Sequence, residues 1–284
     1  MGLLGFFGKK EIIKVSKEQW EREGFYALPG FYSKKDIDSA RAAQEQAWSQ
    51  AHERIVVDDL ETGARKRLKD VERQERGSHR FKLNDLYLEL PEIRALAINK
   101  KITPILNELL GETTVLCNSL SFEQGSSQPD HVDAIYMTPT TPHNLIAIWV
   151  ALEDCHLDAG PLRYYPGSHK IQQYVFSDGT THFIPEEMGE WHQYMQSEVK
   201  RLDLEPKIFA AKRGDVFIWS CYLLHGGSPI VDKTRTRKSL VFHYFGESDC
   251  KNGHELIHQD GGLWMYRAHQ PIPGEAVGVF PPKT

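Results

Sequence analysis

The sequence lacks the features that would assign it to several large classes of protein. Its four cysteines form no C-x-x-C pair, which argues against a zinc ribbon or a thioredoxin-like site and favours reduced thiols in a cytoplasmic protein. No apolar run approaches the length of a membrane-spanning helix, and neither a G-x-G-x-x-G nor a Walker A pattern is present. A net charge of -5 argues against nucleic acid or an anionic membrane surface as a partner.

The composition is that of a globular protein with a substantial core. Hydrophobic residues make up 40% of the 284 positions and charged residues 26%, which suits one large domain or two small ones. The first ten residues are briefly apolar, but the run is too short for a signal peptide and lacks the pattern of a myristoylation site. We expect them to form a frayed tail or a small tether.

The first third of the chain carries start and stop signals for helices. Serines that can cap a helix and first-turn prolines mark the beginnings, and glycines mark ends. The predicted helices begin at or near Ser16, Ser33, Pro91 and Pro104, and three of their ends fall at Gly24, near Arg54 and at Gly111. Residues 58 to 80 are charged and aperiodic. They are predicted to form a solvated loop, or alternatively a mobile lid over a site.

After residue 112 the pattern changes to strands. Segments rich in β-branched and aromatic residues are separated by turn signals, and they occupy residues 113–122, 145–152, 207–211, 216–220 and 239–245. Helices followed by strands predict an α+β protein, mainly β, with a double-stranded β-helix (jelly roll) as the natural candidate. We expect one domain over residues 1–284, with a helical part at about 10–111, a jelly-roll core at about 112–250 and a C-terminal extension at 251–284.

An H-x-D pair, His131 and Asp133, is the first candidate site. On a strand, residues i and i+2 point to the same face, so the imidazole and the carboxylate would converge. One histidine and one carboxylate are two-thirds of the facial triad that holds non-haem Fe(II) and leaves positions open. His225 is the candidate for the missing ligand, with His243 next in order. The alternative is an ordinary histidine on a surface loop.

Three further stretches accompany the H-x-D pair in a fixed order. They are G-P-L-R-Y-Y-P-G-S-H at residues 160–169, K-R-G-D-V at 212–216 and R-K-S-L at 237–240. Together, over roughly residues 10 to 250, they resemble the phytanoyl-CoA dioxygenase-like family of Fe(II)/2-oxoglutarate oxygenases. The resemblance implies a jelly-roll core and His131, Asp133 and His225 as the iron ligands.

The resemblance also implies that Arg237 binds the distal carboxylate of 2-oxoglutarate. A planar guanidinium suits this role because it binds a carboxylate through two hydrogen bonds and stays charged when buried. Arg235, two residues earlier, would face the same side of a strand and is the main rival. The alternative for either residue is a surface arginine within the basic cluster at residues 233–238.

Three more residues occupy positions where family members contact the cosubstrate. Trp149 is either such a contact or a core tryptophan, and Asn118 is either a contact or a satisfied strand residue. Ser228 lies one position away from the serine that relatives place after the distal histidine. Glu123 stands near a position where many relatives carry lysine. If its side chain faces the pocket, we expect a substrate preference that differs from that of these relatives.

The resemblance implies an enzyme that uses Fe(II), 2-oxoglutarate and O₂ to hydroxylate an unactivated C–H bond of a small metabolite or natural-product intermediate. Succinate and CO₂ would be released. Asp133 favours hydroxylation, because halogenating relatives replace this carboxylate with a small residue. Desaturation and cyclisation stay open, as does a non-catalytic jelly-roll binding protein. A metal-dependent hydrolase or cupin-type isomerase would have no use for Arg237. We expect a monomer or homodimer.

Overall fold

The computed structural model of the protein describes residues 15–250 and 254–282. The N-terminal tail expected from the sequence lies outside these residues. Within the described ranges, no helix combines the length and the apolarity needed to cross a membrane.

Seven α-helices and thirteen strands are present in the described part of the chain. The helices are α1 Lys17–Glu23, α2 Lys34–Ser49, α3 Arg73–Ser78, α4 Pro91–Ala97, α5 Ile102–Leu110, α6 Met188–Arg201 and α7 Glu247–Cys250. The strands are β1 Phe25–Leu28, β2 Val56–Asp59, β3 Arg65–Arg67, β4 Phe81–Asn84, β5 Thr114–Phe122, β6 Leu145–Ala151, β7 Leu162–Tyr164, β8 Lys207–Phe209, β9 Val216–Ser220, β10 His225–Gly227, β11 Ser239–Gly246, β12 Glu255–Gln259 and β13 Gly262–Tyr266.

The capping signals in the sequence marked the helix boundaries well. The Ser16 hydroxyl caps α1, and Gly24 ends it in the left-handed conformation at φ 75°. Ser33 begins α2 with a complete capping box, although the helix ends at Ser49 rather than near Arg54. The two prolines predicted for first turns lie in the first turns of α4 and α5, and a left-handed glycine follows α5 as predicted.

Two sheets form the body of the molecule. The larger one has the order β1-β9-β6-β11-β5-β4-β2-β3, with the β12–β13 hairpin joined to β5. The smaller sheet has the order β10-β7-β8, and its neighbouring strands are antiparallel. Helices pack on the large sheet, so the prediction of a mainly β jelly roll with helices against it is confirmed.

Strand β6 shows how one strand serves two cores, and all seven of its residues are buried. Ile146, Ile148 and Val150 belong to the core shared with the helices. Ala147 and Trp149 point the opposite way, into a second core shared with the small sheet. Because alternate residues of a strand face opposite sides, the second face looks into the interior of the jelly roll, where polar side chains gather.

The prediction of a solvated loop at residues 58 to 80 is wrong, and the first third of the chain is accordingly not purely helical. This segment forms the end of β2, strand β3 and helix α3, and β2 joins the large sheet through β4. Several of its charges pair with one another. Arg65 binds Asp58 at 2.6 Å, and Lys66 binds Glu75 at 2.9 Å. Cross-strand ion pairs stabilise such a hairpin, and they hide it from a search for apolar alternation.

The fold predicts that replacing Ile148 by alanine destabilises the protein by about 2–5 kcal/mol, because the vacated space in the main core cannot close fully. The matched control is Ile208→Ala in β8, where the side chain is 44% exposed and little buried area is lost. Urea unfolding of both variants measures the difference. Equal losses in the two variants would contradict this description of the core.

Candidate active site

The sequence suggested that the H-x-D pair lies on a continuous strand. The structure shows no such strand there, yet the two side chains converge. His131 forms an isolated β-bridge with His225, with backbone N to O distances of 2.8 and 2.9 Å. Asp133 begins a short 3-10 turn, Asp133–Ile135. The bridge holds the two histidines side by side, and the turn brings the carboxylate round to face both.

The three side chains form a buried cluster with the spacing of a metal site. Their ligand atoms all lie within 4.8 Å of one another. Oδ1 of Asp133 is 3.8 Å from Nε2 of His131 and 3.7 Å from Nε2 of His225. Two imidazoles and one carboxylate are the donor set of a facial triad, which suits Fe(II).

Backbone carbonyls fix the two imidazoles. Nδ1 of His131 lies 2.9 Å from the oxygen of Pro129, and Nδ1 of His225 lies 3.0 Å from the oxygen of Leu223. A carbonyl oxygen only accepts, so each Nδ1 carries the proton and each Nε2 presents its lone pair toward Asp133. Metal-binding histidines are commonly oriented in this way.

The electrostatics favour binding of a cation. Burial, together with the neighbouring His225, lowers the pKa of His131 to about 4, so this imidazole is neutral at neutral pH. Burial alone would raise the pKa of Asp133, but the imidazoles of His225 and His243 hold it well below its usual range. The cluster therefore presents one negative charge and unprotonated nitrogen.

Two residues of the large sheet hold the other oxygen of this carboxylate. The indole N–H of Trp219 donates to Oδ2 of Asp133 at 2.7 Å, and Nε2 of His243 lies 3.5 Å from the same atom. Both side chains point into the jelly roll, and strand register places Ala147 between them. The small alanine leaves room for the carboxylate between two large rings.

His243 is in contact with Asp133 rather than free to replace His225. Its second nitrogen, Nδ1, lies 3.0 Å from Oδ1 of Asn118. Both ring nitrogens therefore face oxygen atoms of neighbouring side chains. Sequence reasoning missed Trp219 and gave His243 no such role. The available signal was the alternation of side chains along β9, a strand that the sequence already predicted. Phe217 and Trp219 face the second core, whereas Val216 and Ile218 face the core shared with the helices.

The G-x-L-x-x-x-P-G-S-H block anchors the turn that carries His225. The hydroxyl of Ser168 accepts from the backbone N–H of Leu224 at 2.8 Å, and the Tyr165 N–H donates to the Leu224 carbonyl at 3.0 Å. On the other side of His225, a Cβ atom on Gly226 would lie 2.6 Å from Oδ1 of Asp130. Glycine is needed there because the H-x-D loop approaches so closely.

The two candidate arginines have different surroundings. Arg237 is 3% exposed, and its side chain has no carboxylate partner among the described residues. Its Cζ lies 5.7 Å from the centre of the Trp149 ring. Burial lowers the pKa of Arg237 to about 10, so it stays charged at neutral pH. Arg235 is 44% exposed in its side chain and pairs with Asp232 at 2.9 Å.

Two adjoining cavities surround these residues. The inner cavity, of about 60 Å³, is lined by the three clustered residues, Trp149, Arg237 and His243, among others. The outer cavity, of about 770 Å³, is lined by residues of the 76–81 segment and of the loops at 123–129 and 227–236. Gln128 and Gly227 line both, so the two spaces meet at these residues.

The remaining sequence candidates are distributed around these cavities. The Ser228 hydroxyl is buried and has no hydrogen-bond partner in the part of the chain that the structure describes. Asn118 does not line the inner cavity and instead lies behind it, bonded to His243 and to Asp85. Glu123 faces the outer cavity, 3.6 Å from Arg76. The aromatic residues after the P-G-S-H turn, such as Trp191, pack into a separate core.

Comparison with known proteins adds a family and a fold. The family model described as phytanoyl-CoA dioxygenase matches residues 20–238. A Caenorhabditis elegans protein described as a phytanoyl-CoA dioxygenase domain-containing protein 1 homolog is 30% identical over 84 residues, 28% of this chain and 29% of that protein. Its Caenorhabditis briggsae counterpart is 29% identical over 89 residues, 30% and 31% of the two chains. The alignments thus span about a third of these relatives.

Solved structures of low sequence identity share the fold. EctD from S. alaskensis, with 2-oxoglutarate and 5-hydroxyectoine, superposes with a TM-score of 0.60 at 16% identity and covers 98% of this chain and 88% of that one. The epimerase SnoN from nogalamycin biosynthesis gives a TM-score of 0.60 at 17% identity, with coverage of 88% and 96%. The carbocyclase SnoK from the same biosynthesis gives 0.59 at 16%, with coverage of 84% and 85%.

The contact between Trp219 and Asp133 predicts that Trp219→Phe weakens binding of a divalent metal by about 10–100-fold, because the carboxylate loses the donor that orients it. Titration with Mn²⁺ measures the affinity. Trp48→Phe is the control, since the indole N–H of Trp48 has no partner among the described residues and lies on α2. Unchanged affinity in the folded Trp219 variant would contradict this role.

Proposed function

Because the chain belongs to the phytanoyl-CoA dioxygenase family, we propose that it is an Fe(II)/2-oxoglutarate-dependent oxygenase that hydroxylates an unactivated C–H bond of a small molecule. One observation carries the proposal: a buried, unpaired guanidinium lines the same inner cavity as the His-Asp-His cluster. A cation site next to a fixed positive charge suits a cosubstrate that chelates metal at one end and carries a carboxylate at the other.

The ligands proposed for the iron are His131, Asp133 and His225. Their donor set, the neutral imidazole of His131 and the ionised carboxylate of Asp133 fit a ferrous ion, and their arrangement on one side leaves further positions open toward the cavity. A structural zinc site is disfavoured because such sites are usually closed by a fourth protein ligand. The third nearby histidine, His243, instead contacts the carboxylate oxygen that faces away from the other imidazoles.

The residue proposed to bind the distal carboxylate of 2-oxoglutarate is Arg237. Taking a guanidinium out of water costs free energy, and a carboxylate from the ligand would offset that cost with two charge-assisted hydrogen bonds. Ser228, whose buried hydroxyl has no partner among the described residues, is proposed as a further donor to the same anion. Trp149 forms an apolar wall under the guanidinium and keeps water from it.

Bound Fe(II) and 2-oxoglutarate would together supply the oxidising power, coupling decarboxylation of the cosubstrate by O₂ to oxidation of a substrate C–H bond. The protein's own part is to orient and to exclude water. Trp219 and His243 hold Asp133 in one position, and the apolar residues of the inner cavity surround the cosubstrate site. The outer cavity, which meets the inner one, is the space proposed for the substrate.

Hydroxylation is proposed as the outcome because the site keeps its carboxylate. Two structural neighbours are described as a carbocyclase and an epimerase, so another outcome on the same scaffold is the alternative that an experiment must separate. The test is succinate formation from 2-oxoglutarate with Fe(II) and O₂, with and without candidate small molecules. Hydroxylation requires a product one oxygen atom heavier than the substrate, whereas cyclisation or desaturation would give a product two hydrogens lighter.

The first prediction from this proposal is that Asp133→Ala abolishes turnover. Two imidazoles alone cannot hold a ferrous ion well. The loss of Mn²⁺ affinity should therefore exceed that caused by removing a residue that only orients a ligand, which is about 10–100-fold. Succinate release and metal titration are measured together. Asp232→Ala on the surface is the control, and it should behave as the wild type. Full activity in a folded Asp133 variant would overturn the assignment.

The second prediction separates the two arginines. Arg237→Ala should raise the dissociation constant for 2-oxoglutarate roughly 100-fold or more, since breaking a buried ion pair from one side costs about 3–5 kcal/mol. Iron affinity should stay near normal. Arg235→Ala should change little, because that side chain is exposed and paired with Asp232.

Thermal unfolding reports the same difference without turnover. With Mn²⁺ present throughout, added 2-oxoglutarate should further stabilise the wild type and Arg235→Ala, but not Arg237→Ala at the same concentration. If Arg235→Ala alone were impaired, the assigned arginine would be wrong. If 2-oxoglutarate stabilised both variants as it does the wild type, neither arginine would bind its carboxylate. If it did not stabilise the wild type, 2-oxoglutarate would not be the cosubstrate bound here.

A further inference from the structure

A chain of buried polar side chains runs from the candidate metal site to the C-terminal hairpin. Nδ1 of His243 bonds to Oδ1 of Asn118 at 3.0 Å, and Nδ2 of Asn118 donates to Oδ1 of Asp85 at 3.0 Å. Nη2 of Arg267, which directly follows β13, donates to the same Asp85 oxygen at 2.7 Å. We call these four residues the relay. His243, Asn118 and Asp85 are all buried.

The hydrogen bonds of the relay have one possible direction. The Asp85 carboxylate accepts from Arg267, so it must also accept from Asn118, and the asparagine amide has to turn its N–H group toward it. The amide oxygen of Asn118 then faces His243 and requires a proton on Nδ1. The charge pair at the far end of the relay thus fixes which atom of His243 is directed at Asn118 and which at Asp133.

The relay also fixes the backbone on which His243 lies. The pairing of β5 with β11 is irregular at this point, because His243 pairs with Asn118 but Tyr244 pairs with Leu116. The extra residue of β5 is Cys117, and its carbonyl is taken by Nε of Arg267 at 3.1 Å and by the Tyr87 hydroxyl at 3.2 Å. Bulges of this kind re-aim side chains next to active sites.

Asp85 combines burial of its side chain with an uncommon backbone conformation. It is 0% exposed, and its backbone is left-handed at φ 58°. Its second oxygen, Oδ2, has no hydrogen-bond partner among the described residues. A buried charge and an uncommon backbone conformation at one residue both cost stability, and such costs concentrate at functional sites.

We propose that Asp85 and Arg267 are positioning residues for the metal site, acting through Asn118 and His243 on the carboxylate of Asp133. This inference rests on the proposed function, because it gives the relay the role of orienting an iron ligand. Nε2 of His243 lies 3.5 Å from Oδ2 of Asp133, which leaves Oδ1 directed at the two imidazoles. The family match ends at residue 238, so His243 and Arg267 both lie beyond it.

Asp85→Asn tests the relay with a minimal change. Asparagine tolerates a left-handed backbone, so the local structure can be kept while the charge pair with Arg267 is lost. The new amide can also present N–H to Asn118, which would allow the Asn118 amide to turn over and remove the constraint on His243. We expect Mn²⁺ affinity to fall about tenfold, the lower end of the range for outer partners of metal ligands.

Glu89→Gln is the matched control. Glu89 is another buried carboxylate that pairs with an arginine, Arg54, and it binds a residue of the same C-terminal segment, His269, at 2.8 Å. It has no hydrogen bond to the relay in the described structure. Its replacement should lower the midpoint of thermal unfolding at least as much as Asp85→Asn and leave Mn²⁺ affinity unchanged.

Arg267→Met provides an independent arm, because it keeps the aliphatic stem and removes the donors to Asp85 and to the Cys117 carbonyl. A fall in Mn²⁺ affinity in either relay variant, without one in Glu89→Gln, supports the proposal. If Asp85→Asn does not fold, Arg267→Met decides alone. Wild-type affinity in the folded relay variants, or an equal loss in Glu89→Gln, overturns the positioning role while the oxygenase stands. A wild-type protein that binds no Mn²⁺ overturns the proposed iron site itself.

Discussion

The buried negative charge of Asp133 is the constraint around which the candidate site is arranged. An ion taken out of water costs several kcal/mol unless partners replace the lost hydration. Here the partners come from both layers of the fold: imidazoles of the H-x-D loop and of the small sheet at one oxygen, and Trp219 and His243 of the large sheet at the other. The two sheets are therefore joined electrostatically at the point where the chemistry is proposed.

The opposite charge in the same cavity is treated differently. Arg237 has no carboxylate partner in the described structure, and its nearest aromatic neighbour, Trp149, offers only the face of a ring. A protein selected for stability alone would pair or remove this guanidinium. Its retention is explained if the missing partner arrives with a ligand, so the free energy sacrificed in the folded protein is recovered as binding affinity.

The sequence predicted more of the chemistry than of the architecture around it. The H-x-D spacing singled out His131 and Asp133 directly, whereas the choice of Arg237, and the full ligand set with His225, came from the family resemblance. The structure brings all four into one cavity. The boundaries of α1 followed from Ser16 and Gly24, and the end of α5 followed from Gly111. The chemical roles of these four residues remain proposals, as does the division of the chain into helical, jelly-roll and C-terminal parts.

What the sequence could not reveal depends on pairing between distant segments. The hairpin β2–β3 is held by ion pairs, so its charged residues resemble a loop until the partner strand is known. Trp219 and His243 gain their roles only from the register of β9, β6 and β11. Asp85 and Arg267 are 182 positions apart, and no local pattern connects them.

This reliance on distant pairs has a consequence for how the molecule acquires its site. Strand β1 pairs with β9, and His131 bridges to His225, so the proposed metal site joins segments that are synthesised far apart in time. Contacts between remote segments slow folding, because a large loop must close before any contact rewards it. The three proposed ligands are therefore separated on a growing chain until β10 has emerged, and the proposed metal site can form only at a late stage of folding.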